Sequence, residues 1–209
     1  MLALPLAACA SAHTDPAAIE ADASVTPMVD APKQSGNMDA PAEVGCMQTF
    51  TGALATWDFT AEPGMQAMTA VKTSAPGIVA GPIERASVLT AVSGLNAINS
   101  SNWPLGLLPD PAKHYRVTIT PPSGCSLQIT AMSIDAKSSA TGPAMAILQT
   151  SVDGYAQPTV LSTSMLSAPA MSMPAETQMV ELRVSGFAAS SAAGTMRLQG
   201  TFVISGSLL

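Results

Sequence analysis

The chain has 209 residues, of which 47% are hydrophobic, 4% aromatic and only 11% charged, against roughly 25% charged in an ordinary soluble domain. Fifteen Gly and 17 Pro favour short strands and turns over long helices. A net charge of −6 with eight basic residues disfavours nucleic-acid binding, and two His supply few ligands for a zinc hydrolase.

The first nine residues predict a lipoprotein signal. Leu6-Ala7-Ala8-Cys9 resembles a bacterial lipobox, in which the cysteine is lipidated after cleavage and becomes the mature N-terminus. No Lys or Arg follows Met1 and the apolar run is short for a signal, which a start codon assigned too far downstream would explain. The alternative is an apolar terminus with an incidental thiol. We expect Cys9 to carry a lipid that anchors the protein in the bacterial cell envelope.

Residues 10–45 predict a flexible acidic tether. The segment has no aromatic residue and one base, Lys33, and such a composition cannot bury enough apolar surface to offset the entropy of ordering. A short helix over 17–23 is the alternative. The predicted organisation is a signal over 1–9, a tether over 10–45 and a folded domain over 46–209. The six acids of the tether are Asp15, Glu20, Asp22, Asp30, Asp39 and Glu43.

The three cysteines, at positions 9, 46 and 125, leave an even pair once Cys9 is lipidated. Cys46 begins the folded region and Cys125 lies between two predicted strands. In an oxidising compartment these two are expected to form a disulfide. Two unpaired buried thiols are the alternative. Because the chain contains no CxxC unit, metal and thioredoxin-like interpretations are weak.

Period-two alternation of apolar residues dominates from Phe50 onward and predicts β-strands. The strand over 115–120 has one apolar face and is closed by the turn residues 121–124. Over 127–134 the alternation changes phase, which predicts a β-bulge near Ala131. About eight strands separated by turn signals predict an all-β, antiparallel β-sandwich. Further strands are predicted over 53–59, 78–88 with an interruption at Pro82, 144–152, 180–185 and 196–204.

Five short motifs follow one another along the folded region: Trp57-Asp58-Phe59 and residues 96–103, 115–126, 150–155 and 193–198. In this order, over residues 53–208, they resemble the jelly-roll-like β-sandwich modules of exosortase-sorted (PEP-CTERM) and related bacterial surface proteins. The resemblance implies a jelly-roll-like sandwich and export, and it implies no particular ligand. The chain departs from sorted members at its C-terminus, which has neither an apolar helix nor a basic tail. An N-terminal lipid would take the place of that anchor.

The folded region offers little for catalysis. His114 is its one histidine, on the predicted outer face of a strand, where a solvated side chain is expected. Its acids are dispersed, and Asp153-Gly154 is better explained as a turn. We expect no enzymatic activity, no metal and no cofactor. The alternative is an accessory or catalytic domain of a secreted hydrolase, which a cleft with two carboxylates about 5 to 9 Å apart would favour.

Thirteen methionines raise the question of copper, chiefly through Met165, Met171 and Met173, because thioether sulfur suits Cu(I). No histidine accompanies these three residues. Methionine also fills cores that lack aromatic residues, and we expect that use here.

Two tryptophans are candidates for stacking on a sugar ring. Trp57 shares a strand face with Phe59 and is expected in the core. Trp103, followed by Pro104, lies in a polar central loop predicted over residues 96–103 and is the better candidate for exposure, with Asn99 and Asn102 beside it as candidate ligand-binding residues. The sequence thus predicts a non-enzymatic cell-envelope or secreted module, binding or structural. Its predicted partners are a membrane, through the lipid anchor, and a glycan or another surface polymer.

Overall fold

The computed structural model describes residues 45–209. The predicted signal with Cys9, and the predicted tether up to residue 44, lie outside the described residues. The described part forms two β-sheets that share one apolar core, so the predicted all-β antiparallel sandwich is confirmed. Within residues 45–209 no helix has the length and apolarity needed to cross a membrane.

Fifteen strands and one 3-10 helix, Ser151–Asp153, make up the fold. Seven strands have five residues or more, and the predicted strands correspond mainly to these. The strands are β1 Phe50–Asp58, β2 Pro63–Gly64, β3 Met68–Thr69, β4 Val71–Ser74, β5 Val79–Ala80, β6 Ile83–Arg85, β7 Thr90–Ala91, β8 Ala97–Ser101, β9 Tyr115–Thr120, β10 Leu127–Ser138, β11 Pro143–Thr150, β12 Thr159–Leu161, β13 Leu166–Ser167, β14 Val180–Ala189 and β15 Met196–Leu208.

The strands divide between two sheets. The first has the order β13-β10-β15-β1-β4, and β8, with β2 and β7 beside it, also pairs with β15. The second has the order β12-β11-β14-β9-β6-β3, with β5 pairing with β9. Every pairing is antiparallel except that of β2 with β8. The consecutive strands β8, β9, β10 and β11 alternate between the sheets, so each connection crosses from one layer to the other in a jelly-roll-like manner.

The apolar alternation predicts the buried faces correctly. On β9, Tyr115, Val117 and Ile119 are all buried, at the junction of the two layers. On β10 the register with β15 shifts between Ile129 and Ala131, which confirms the predicted bulge. The extra residue returns the apolar side chains that follow to the core.

β15 changes partner along one of its edges. Its residues up to Gln199 pair with β8, and those from Thr201 onward pair with β1. Gly200 lies between the two sets with a φ of 67°, a backbone conformation that residues with a Cβ rarely adopt. Because nothing lies within 4 Å of where a Cβ would be, the conformation, and not a close approach, requires glycine at this position.

β8 corrects one sequence-based expectation. The prediction of a loop over residues 96–103 was wrong, because Ala97–Ser101 form a strand in which every residue is buried. Asn and Ser are depleted in strands, and five consecutive buried residues show no alternation, so neither usual signal was present. The loop before β8 contributes to this burial, since Asn99 Nδ2 donates a hydrogen bond to the carbonyl of Ser93 at 3.0 Å.

The predicted disulfide between Cys46 and Cys125 is confirmed. Their Cα atoms lie 4.4 Å apart, within the range that a disulfide spans. Cys125 ends the predicted turn, in which Gly124 has a φ of 77° and Cys125 N donates to the carbonyl of Pro122 at 3.1 Å. The bond fastens the segment that precedes β1 to the turn between β9 and β10.

The methionines only partly fill the core. Met132, Met173 and Met196 are buried, as expected for residues that replace aromatic side chains. The expectation was wrong for six others, which lie at the surface because much of the methionine content falls in loops and short edge strands. These exposed residues are Met47, Met65, Met68, Met145, Met165 and Met179.

A chain of hydrogen bonds crosses the core between the sheets. Arg85 Nε, on β6, donates to Ser100 Oγ, on β8, at 2.8 Å. The Tyr115 hydroxyl, on β9, lies 2.8 Å from Ser100 Oγ and 2.7 Å from the carbonyl oxygen of Met196. Since a carbonyl only accepts and tyrosine has one hydroxyl proton, Tyr115 donates to Met196 and Ser100 donates to Tyr115. All three polar side chains thereby find partners within the sandwich.

Candidate functional site

The outer face of the second sheet carries a group of charged residues. Inward burial of alternate residues on β9 and β14 turns Arg116, Glu181 and Arg183 outward. Glu84 on β6 is the cross-strand neighbour of Arg116, which is in turn the neighbour of Arg183. Together with Tyr155, which follows the 3-10 helix, these residues form a surface that we call the Arg–Glu face.

Each arginine of the Arg–Glu face is paired with a carboxylate. Arg116 Nε donates to Glu84 Oε2 at 2.7 Å, and Arg183 Nε donates to Glu181 Oε1 at 2.6 Å. The Arg183 guanidinium also lies over the Tyr155 ring, 3.9 Å from its centroid, and so covers one side of the ring. Because the charges compensate one another, the face offers directional donors and acceptors without a strong net charge.

The pKa values of the face follow from these pairs. Partial burial alone would raise the pKa of Glu181, but hydrogen bonds from Arg183 and Tyr155 outweigh it and lower that pKa. The hydrogen bond to Glu84 raises the pKa of Arg116. Burial, followed by the hydrogen bond to Glu181, raises the pKa of Tyr155. Glu181 and Arg116 are therefore ionised and Tyr155 is protonated at neutral pH.

A shallow pocket of about 260 Å³ opens on this face. Two carboxylates, those of Glu84 and Glu181, line it, and the exposed Met179 supplies an apolar wall. Such a mixture suits a ligand with many hydroxyls and a few C–H surfaces. Glu181 holds no proton at neutral pH, whereas glycoside hydrolysis requires a carboxylic acid that does. The remaining lining residues are Pro82, Arg116, Val117 and Thr118.

The predicted exposure of Trp103 was wrong. Its side chain is 1% exposed, packs against the edge of Tyr115 with ring centroids 5.5 Å apart, and donates from Nε1 to the carbonyl of Ser100 at 2.9 Å. The indole has found both apolar contacts and an acceptor inside the sandwich, so it is not available to stack on a ligand. Trp57, in contrast, is buried as expected and stacks on Phe202 with centroids 5.1 Å apart.

The asparagines predicted beside Trp103 do not form a common site with it. Asn99 is buried under the loop before β8. Asn102 is partly exposed, has a φ of 68° and donates from Nδ2 to the carbonyl of Val88 at 3.0 Å. Their side chains thus serve local turn and loop geometry.

The loop after Trp103 exposes leucine instead. Leu105, Leu107 and Leu108 are 58%, 79% and 80% exposed. The loop is tied to the end of β14 through two backbone hydrogen bonds, from Ala188 N to Gly106 O and from Ala189 N to Pro104 O. The sequence signal is a short apolar run, Leu105 to Leu108 with Gly106 within it, that contains no aromatic residue.

His114 and Asp153 have partners of their own. His114 is half-buried just before β9, and its Nδ1–H donates to the carbonyl of Pro111 at 2.9 Å. Burial, with a contribution from Arg183, lowers the pKa of His114. The Asp153 carboxylate accepts from the backbone N–H groups of Tyr155 and Gln157 at 3.0 and 2.8 Å, as expected of a turn residue.

Within residues 45–209, no group of three or more His, Cys, Asp or Glu side chains is placed to hold a metal ion. Cys9, the predicted lipidation site, lies outside the described residues. A scan of the chain against protein-family models finds no match, and comparisons with curated proteins and with solved structures find none either. The functional interpretation therefore depends on the geometry of the sandwich.

Proposed function

We propose that this protein is a non-enzymatic module of the bacterial cell envelope that binds a glycan or another hydroxyl-rich surface polymer. The observation that carries the proposal is the Arg–Glu face, in which Arg116, Glu84 and Glu181 line an open pocket. Arg116 and Arg183 hold the two carboxylates in place. Arginine and carboxylate groups held in ion pairs are already oriented, so little entropy is lost when they meet ligand hydroxyls.

The second candidate function is that of a hydrolase domain, favoured by the two carboxylates that line one pocket. The proposal prefers binding because both carboxylates accept hydrogen bonds from arginine, and because the pKa of Glu181 is lowered and not raised. An acid catalyst needs a raised pKa. Release of reducing sugar from a bound polymer, abolished by Glu84→Gln or Glu181→Gln, would replace the binding proposal with this one.

The proposed location is the envelope, through a lipid on Cys9, in keeping with the jelly-roll-like surface modules that the sequence resembles. The disulfide supports export, because such bonds persist in oxidising compartments. Each buried methylene of an acyl chain contributes about 0.8 kcal/mol to membrane binding. Expression of the gene in a bacterial host, followed by mass spectrometry of the mature N-terminus, should find an acylated Cys9. An unmodified Cys9 in the mature protein contradicts the anchor.

The binding proposal is tested on a glycan array with the full 209-residue chain carrying Cys9→Ser, which removes the lipidation site. We expect selective retention of at least one polysaccharide, and Arg116→Ala and Arg183→Ala should each weaken binding about tenfold, since each removes a charged hydrogen-bond donor. Lys72→Ala is the matched control, because Lys72 is an exposed cation in an ion pair with Asp58 on the first sheet. Equal losses in all three variants, or no retained polymer, would overturn the proposal.

A further inference from the structure

A second, smaller pocket lies at the end of the first sheet, where β10 stops and β15 begins. Its volume is about 190 Å³, and it is lined by Lys137, Ser138, Ser139, Thr195 and Arg197. Two of the seven basic residues in the range 46–209 therefore meet three hydroxyl side chains at one site. Cations and hydroxyls are the side-chain donors with which proteins hold oxyanions.

The two cations of this pocket have one carboxylate between them. Lys137 and Arg197 are direct cross-strand neighbours, a position in which like charges destabilise a sheet. Asp135 lies within ion-pair distance of Lys137, at 4.0 Å, and also accepts a 2.7 Å hydrogen bond from Gln199. In the part of the chain that the structure describes, Arg197 forms no ion pair. The pocket thus has a positive excess that an anion would neutralise.

The Ser138 hydroxyl is not one of the donors of the pocket. Ser138 is the cross-strand neighbour of the fully buried Met196, and its Oγ is closed to solvent. An atom that water cannot touch is also out of reach of a ligand oxygen, so recognition in this pocket depends on Lys137 and Arg197.

Two interlocked turns hold the pocket in shape. Ser139 N donates to the carbonyl of Thr195, and Thr195 N donates to Ser139 Oγ, both at 2.9 Å. A Cβ at Gly142 would collide with the Thr195 carbonyl, and one at Gly194 with the Thr141 carbonyl, so the turns pack backbone against backbone. The lining groups are therefore oriented before a ligand arrives.

We propose that this pocket binds the oxyanion group, a phosphate, sulfate or carboxylate, of an acidic surface polysaccharide. Lys137 and Arg197 supply the charge and the charge-assisted hydrogen bonds. The inference rests on the proposed function for the identity of the polymer, whereas recognition of the oxyanion depends on the pocket alone.

The test titrates sulfate, phosphate and acetate into the isotope-labelled full chain and follows the backbone amides by NMR. We expect saturable shifts confined to residues 137–139 and 195–197. Lys137→Ala and Arg197→Ala should each weaken binding about tenfold, the effect of losing one charge-assisted hydrogen bond. Both variants should fold, because each relieves the repulsion between the two cations. Lys72→Ala, which removes an exposed cation elsewhere on the first sheet, should leave both the binding and the melting temperature unchanged.

Sulfated and carboxylated polysaccharides, with a neutral glucan as control, form the second arm. Acidic polymers that bind the wild type and lose affinity in the pocket variants bear out the whole inference. Free anions that bind at the pocket while no polymer binds the protein would retain the oxyanion site and refute the proposed function. The oxyanion site would be refuted if no saturable shifts were seen, or if the shifts persisted in the Lys137 and Arg197 variants. Either result would hold regardless of whether the polysaccharides bind.

Discussion

Tyr115 connects the two layers through a single hydroxyl group. The ring is buried on β9, and its hydroxyl reaches Ser100 and the Met196 carbonyl, both in the first sheet. Burial raises the pKa of Tyr115 well above its ordinary value, so the phenol is protonated and donates at neutral pH. The sequence placed Tyr115 in the core but could not show its partners, because Ser100 and Met196 are distant in sequence.

We therefore expect Tyr115→Phe to lower the stability of the domain. It leaves the Met196 carbonyl and the Ser100 hydroxyl short of a partner in the core, at a cost of about 1–3 kcal/mol. For a domain of this size the melting temperature should fall by roughly 2–10 °C, measured by circular dichroism. Tyr155→Phe is the matched control, since Tyr155 is half-exposed and water can replace its bond to Glu181. Equal falls in melting temperature for the two variants would show that the buried hydrogen bonds of Tyr115 do not contribute to stability.

At the level of the elements, sequence prediction succeeded where burial alternates with period two. β9, β15 and the first half of β14 have one inner and one outer face, and even the bulge of β10 was visible as a change of phase. β8 was missed because both of its faces are covered, so that its five buried residues carry no alternation. The predicted strand over 78–88 is β5 and β6, separated at Pro82 as expected, whereas the other two-residue strands were missed because they follow from the packing of the longer ones and have no pattern of their own.

Of the candidate sites, only the features that do not depend on strand pairing could be predicted from the sequence. The disulfide followed from counting cysteines, a rule that needs no three-dimensional information. The Arg–Glu face and the oxyanion pocket depend on cross-strand register, which brings Arg116 beside Arg183 and Lys137 beside Arg197 over sequence separations of about 60 residues. Trp103 was misplaced because a tryptophan before a proline in a polar segment indicates a loop, and the indole turned inward to reach Ser100.

At the scale of the whole molecule, the sandwich has two unlike ends. Cys46, the Cys125 turn and the end of β15 lie at one end, since Leu127 pairs with Leu208. The oxyanion pocket lies at the opposite end of β10. The loop with the exposed Leu105, Leu107 and Leu108 comes before the start of β9, the end of that strand that is away from the Cys125 turn. β10 has 12 residues at roughly 3.3 Å each, which separates the ends by about 40 Å. A module attached through its N-terminal side would therefore present these two surfaces away from the attachment.

The disulfide should stabilise this arrangement as a whole. It closes a loop with a sequence separation of 79 residues, for which the chain-entropy model gives about 4–5 kcal/mol as an upper figure. Thermal unfolding of the chain with Cys9→Ser should shift downward by roughly 10 °C on reduction or in the double variant Cys46→Ser, Cys125→Ser. The double variant is the control for the reductant, because its melting temperature should be the same with and without reductant. Two titratable thiols in the oxidised protein, or one melting temperature under all conditions, would contradict a stabilising bond between these cysteines.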